Sequence, residues 1–253
     1  MAVKFKKYGW TPDHPDQRDL KFVAPMMATL PTKVDLRNMM PAPYDQGELG
    51  SCTAQSLAGL LEYSEHKQNK PHPQTASRLF IYYNERLLEG TVNADSGAML
   101  RDGIKSLIRW GYCEEVLWPY VIARFKKKPP RPAYGDAFKS RISQYARINN
   151  HSLNDMKVAL ASGNPFVFGF SVYESFESEA VAKTGVMLMP QPNEQMLGGH
   201  AVLAVGYDDE RQVIIVRNSW GVNWGDKGYF YMPYAFITNP ALADDFWTIT
   251  MVP

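Results

Sequence analysis

The alternation of apolar and polar positions divides the chain into two unlike halves. From Ser51 the apolar residues Ala54, Leu57, Ala58, Leu60 and Leu61 recur at helical spacing until "KQNKPHP" stops them. "SRLFIYYNERLLEG" (77–90) and "AMLRDGIKSLIRWG" (98–111) repeat the amphipathic pattern, each closing on a Gly suited to a left-handed turn. Beyond Pro132 one helix remains, "SLNDMKVALASG", with Ser152 as N-cap and Asp155 three residues on. Short β-branched and aromatic runs then take over: "FVFGFSVY", "GVMLM", "HAVLAVGYD", "QVIIVRNSW" and "GYFYMPY", bounded by Gly, Asp and Asn. A helical half followed by a mostly antiparallel half predicts an α+β fold with a cleft where the halves meet. The first thirty residues, rich in charge, Pro and aromatics ("GWTPDHPDQRDLKF"), lack either period and read as an extended arm. No internal repeat is evident.

Composition narrows the classes. A chain of 253 residues, 45% hydrophobic and 21% charged, can bury a sizeable core. Its net charge of +1 offers no long-range attraction to nucleic acid or to an anionic membrane, and "FKKK" (125–128) reads as a solvated surface crossing. No segment approaches the ~18 apolar residues of a membrane span, and "MAVKFKKYGW" lacks the features of a secretory signal. A cytoplasmic monomer is expected, with signal-less export left open. The two cysteines, Cys52 and Cys113, allow one disulfide at most; their spacing does not say whether they meet, and a reducing compartment is the simpler reading.

A thiol attacks as thiolate, so a catalytic Cys needs a helix N-terminus, an imidazolium, or both beside it. Cys52 stands at the first turn of its helix, where unpaired N–H groups and the macrodipole favour negative charge. Of the five histidines only His200, in "MLGGHAVLAVGYDDE", opens an apolar strand, with Gly199 ahead of it allowing close backbone approach. His14, His66, His72 and His151 lie in polar, turn-like surroundings. Asn218 ends the next strand, where a hairpin partner brings an amide to the imidazole, and Trp220 stands two residues on to roof that bond. Singly these residues read as a buried thiol, a capping His and a turn Asn; together with Gln46 they fall in the order of a thiol acyl-transfer site. No metal-ligand set with zinc spacing occurs and "GYDDE" is too loose for a calcium loop, so neither a metal nor a cofactor is expected.

The stretches "QGELGSC", "GGHAVLAVGYD" and "RNSWGVNWGDKGYF" resemble those of the papain-like cysteine peptidases, the last being long and specific. "LPTKVDLR" and "DFW" extend the resemblance over about residues 30–253, and His200 follows Cys52 by 148 residues, within the interval usual for such enzymes. The resemblance implies a two-lobe fold: a helical lobe over about 34–128, a β-barrel-like lobe over about 129–240, and a C-terminal strand crossing back. It implies Cys52 as nucleophile paired with an imidazolium at His200, Asn218 as orienter, and Gln46 as an oxyanion donor beside the Cys52 N–H. It departs from the family at Leu49, where a bridged cysteine is usual, and at Thr53, where an aromatic is usual, which puts the local cleft shape in question.

For substrate the same resemblance implies that Gly97, with Ser96 before it, pairs with an extended peptide as an added strand. Asp244 in "ALADDFW" falls at the pocket position that suggests Arg or Lys two residues before the scissile bond. The arm, residues 1–29, is shorter than the family's usual inhibitory region and resembles that of bacterial members. It is expected to gate the cleft, anchored by Trp10 or Phe22, or else to strap the core. The expected activity is a cysteine endopeptidase acting on peptide or protein substrates. The alternatives are an amidase, isopeptidase or transpeptidase with the same triad, and a catalytically silent peptide-binding module.

Overall fold

Helix α1 (Cys52–Lys67) runs between the two lobes and is buried on every side from Cys52 to Glu65 in the computed structural model, which describes residues 7–25, 27, 29–70 and 75–251. A helix so enclosed must satisfy its polar side chains internally. Ser64 Oγ donates to Leu60 O at 2.8 Å, and Glu65 accepts from the Tyr112 hydroxyl at 2.6 Å. Against one side of it pack α2 (Arg78–Glu89) and α3 (Leu100–Arg109). Ser77 caps α2 by accepting from Phe80 N at 3.2 Å, and Gly90 ends it in the left-handed region.

Against the other side lies a seven-stranded antiparallel sheet. It contains β1 (Lys33–Asp35), β2 (Gln144–Arg147), β3 (Phe166–Tyr173), β4 (Met196–Asp208), β5 (Val213–Arg217), β6 (Tyr229–Pro233) and β7 (Ala243–Met251). The order is β2-β7-β3-β4-β5-β6, with β1 added on β4. The period of two sorts its side chains into two cores. Val167, Ala201, Leu203, Val205 and Trp247 face the helices, while Phe166, Phe168, Phe170, Val202 and Phe246 form an aromatic core on the far side. Phe168 and Phe246 stack there at 5.3 Å. Burying each such ring is worth ~1.5–3 kcal/mol. The register sets Phe170 opposite His200 and Leu203 opposite Arg217, which carries Asn218 and Trp220 on toward the level of His200.

Several elements differ from expectation. "GVMLM" forms no strand: only Val186 bridges to Tyr231, and Leu188 stays exposed. The end strands β2 and β6 do not pair with each other, so the sheet is open rather than a closed barrel. The C-terminal strand β7 inserts between β2 and β3 and touches the helices through Trp247 and Ile249. The short helices α4 (Arg131–Ala137), α6 (Glu179–Thr184) and α7 (Tyr234–Ile237) carry too few turns to show a period. Helix α5 (Leu153–Ala161) begins as expected, Ser152 accepting from Asp155 N. The arm straps the molecule as well as entering the cleft: Phe22 N donates to Arg147 O at 2.8 Å beside β2. His72 lies outside the described residues, and His14, His66 and His151 are exposed.

Candidate active site

Cys52 is the first residue of α1, with its thiol fully buried where the helix meets β4. Its Sγ accepts from Ala201 N at 3.4 Å. Burial pushes the thiol up to about 12 despite the opposing pull of the Ala201 and Gly9 N–H groups. The two cysteines are both free and buried.

His200 Nε2 lies 2.8 Å from Asn218 Oδ1, and Ser219 N donates to the same oxygen at 2.8 Å. A backbone N–H requires an acceptor, so the Asn218 amide is turned oxygen-first and the proton resides on His200 Nε2. This makes Nδ1 the ring's basic nitrogen. Trp220 stacks on the imidazole at 5.0 Å, excluding water from the bond. Gln46 is buried and turned in the same way: Ser219 Oγ donates to its Oε1 at 2.6 Å, which directs Nε2 outward.

The arm fills the groove over these residues. Gln46 Nε2 donates to Lys7 O at 3.1 Å, and the Tyr8 ring stands edge-on to His200 at 6.3 Å while its hydroxyl donates to Glu177. Trp10 N donates to Gly199 O at 3.0 Å; Ala98 N donates to Gly9 O at 2.8 Å, and Thr11 N to Ala98 O at 3.1 Å. Pairing therefore falls on Ala98 rather than on Gly97, whose N–H goes to the Tyr82 hydroxyl. Ser96 lies on the rim beside Lys7 to Trp10. Only glycine fits at position 9, since a Cβ there would lie 1.9 Å from Gly50 O. The Trp10 indole lies where a Gly169 side chain would be, and its Nε1 donates to Asp245 Oδ2 at 3.1 Å.

Known proteins share this fold. The family model for papain family cysteine proteases matches residues 30–241. This chain belongs to the papain family. It is 41% identical, over 98% of its length and 88% of the relative's, to an uncharacterized peptidase C1-like protein (L477) of Acanthamoeba polyphaga mimivirus. It is 31% identical over 79% of its length to pro-cathepsin H of Mus musculus, of which it spans 59%. Among solved structures, xylellain, a cysteine protease from Xylella fastidiosa, is 43% identical and superposes over the full length of both chains with a TM-score of 0.90.

The papain-family chain keeps its cleft despite both departures at the opening motif. Leu49 packs in the helical core, and Thr53 is buried with its hydroxyl donating to Glu85 of α2 at 2.6 Å. Asp244 lines a pocket beside Trp10, but Arg147 (2.9 Å) and Asn150 (3.0 Å) hold its carboxylate. The neighbouring Asp245, fully buried, is the carboxylate that meets the pocket's occupant. Around it the arm adds Asp13 and Asp19 to a cluster of Arg101, Arg147, Asp244 and Asp245. Asp13 N donates to Asp245 Oδ2, and Asp13 accepts from Trp247 Nε1 and Arg101 N. Four carboxylates then face two guanidinium groups, and burial raises both Asp13 and Asp245, the latter to about 7. Nothing in the sequence pattern singled out Ala98, Gly169, Ser219 or Asp245, since each acts through a register or a hydrogen bond that only the folded chain creates.

Proposed function

We propose that this cysteine protease cleaves peptide bonds internally by a Cys52–His200–Asn218 acyl-enzyme mechanism and is held covered by its own N-terminal arm. The observation that carries the reading is the Nε2-to-Oδ1 bond of His200 and Asn218, roofed by Trp220, beside a thiol at a helix N-terminus. With the cleft open, His200 Nδ1 takes the Cys52 proton as sulfur attacks the substrate carbonyl carbon. The resulting oxyanion lies between the Cys52 N–H and Gln46 Nε2, donors of a kind worth roughly 3–4 kcal/mol each. The imidazolium then gives its proton to the leaving amine as the C–N bond breaks, and water hydrolyses the thioester with His200 again as base.

The arm runs Lys7–Tyr8–Gly9–Trp10 from the Gln46 side, past the thiol, into the pocket. That pocket holds the side chain two residues before the scissile bond, so the arm lies backwards relative to a substrate and offers no carbonyl in the productive orientation. Without the arm, Arg147 still pairs with both Asp244 and Asp245, so neither carboxylate stands unmatched for a basic side chain. The space opened by Gly169 and the acceptor at Asp245 Oδ2 instead suit a large aromatic with a donor at its edge, as Trp10 has.

Labelling with an epoxysuccinyl thiol inhibitor tests the reading. Cys52 should label slowly in the full chain and fast in a chain beginning at Leu30, with matching turnover of a fluorogenic peptide. A folded shortened chain that neither labels nor turns over substrate would leave a peptide-binding module; equal rates in both chains would remove the gate.

A further inference from the structure

Ser51 holds the N-cap position of α1, yet its side chain makes no capping hydrogen bond. A serine there ordinarily accepts from an N–H of the first turn. Its Oγ lies instead 2.6 Å from the Tyr120 hydroxyl, which lies 2.9 Å from Gln46 O, while Gln55 Nε2 donates to Ser51 Oγ at 3.1 Å. The polarity of this chain is forced. The Gln46 carbonyl can only accept, so the Tyr120 proton points to it; the Ser51 proton must then point to Tyr120, and the Ser51 lone pair receives Gln55. Ser51, Gln46 and Gln55 are all fully buried, so each link would be costly to leave unmade.

The chain joins the two segments that carry the oxyanion donors: the loop bearing Gln46 and the residue preceding Cys52. Tyr120 is itself anchored, its N–H donating to Glu115 Oε1 at 2.7 Å and its ring lying under the Arg78 guanidinium at 4.6 Å. We propose that the Tyr120 hydroxyl is a positioning group for the oxyanion hole, setting the separation of Gln46 Nε2 from the Cys52 N–H through Ser51. This rests on the proposed role of Gln46. Because the carbonyl oxygen becomes fully negative only in the transition state, a loosened pair of donors lowers kcat and leaves KM in place.

The test uses the full chain at saturating substrate, where the competing arm raises apparent KM and not kcat. Gln46→Ala should lower kcat by about 100-fold or more, as loss of an oxyanion donor does, and Tyr120→Phe by about 10-fold with KM within about twofold. Ser51→Ala should match Tyr120→Phe, and the double variant should be no worse than the weaker single variant, since both cut one chain. Ser51→Ala also supplies the test should Tyr120→Phe fail to fold. A kcat within about twofold of the parent for both single variants, beside a crippled Gln46→Ala, would overturn the positioning role and keep the donor. Loss confined to melting temperature or KM would overturn it equally. An unimpaired Gln46→Ala would overturn the reading on which it rests.

Discussion

Trp10 donates its indole N–H to Asp245 Oδ2 at 3.1 Å, tying the N-terminal arm to the last strand of the sheet across the mouth of the pocket. The same carboxylate oxygen takes the Asp13 N–H at 2.8 Å, so one buried acid holds two points of the arm. Grip on two points of the arm thus falls on one residue.

Replacing Trp10 with Ala should release the arm. The indole is half-buried, so its loss is worth about 2 kcal/mol, or ~30-fold in the open fraction. Labelling of Cys52 should accelerate by that order in Trp10→Ala; an unchanged rate would mean that the strap at Phe22 alone holds the arm.

Arm docking should weaken as pH rises. The docked cluster sets Asp13 and Asp19 of the arm and Asp244 and Asp245 of β7 against Arg101 and Arg147, with Glu89 of α2 a further carboxylate facing Asp13. Burial, then the facing Asp13, lifts Asp245 to about 7. A carboxyl whose pKa is higher docked than free binds its proton more tightly when docked, so docking is favoured below about 7 and lost as pH climbs through it. The ratio of full-chain to shortened-chain turnover should climb from pH 5 to 7, by up to tenfold per pH unit for one linked proton, and level off above about 7. Asp13→Asn should flatten the ratio; a ratio that falls over this range would reverse the sign.

Pocket selectivity can be read on dipeptide amides. Trp two residues before the scissile bond should exceed Phe by about 3- to 10-fold in kcat/KM, the worth of one hydrogen bond to Asp245. Arg should gain nothing over Leu. In Gly169→Val the new side chain takes the space of the indole, so Trp substrates should lose most and the arm should loosen. Preference for Arg over every aromatic would assign the pocket to Asp244 instead.

Ser219→Ala should lower kcat about 10-fold with little change in KM, because the Gln46 amide loses the hydroxyl that turns its Nε2 toward the groove. A change in KM alone would limit Ser219 to packing.

The proposed constellation of Cys52, His200 and Asn218 was singled out in the chain because each member sits beside a local signal. Cys52 precedes a helical period, His200 opens an apolar strand and Asn218 closes one, and backbone periodicity alone aims such residues. The helices α1 to α3 and the strands β3 to β6 followed from the same local rule. Short elements such as α6 and β2 carry too few residues for a period to appear.

What only the tertiary structure decided depends on contacts between distant segments. The pairing of β3 with β7 turns Gly169 and Asp245 into the wall and end of one pocket. The crossing of Gly9 over Gly50 closes the groove, and burial then pushes the Cys52 thiol up although it stands at a helix N-terminus. Residue order determines where a nucleophile can be made; desolvation, which depends on everything packed around it, determines whether that nucleophile is charged.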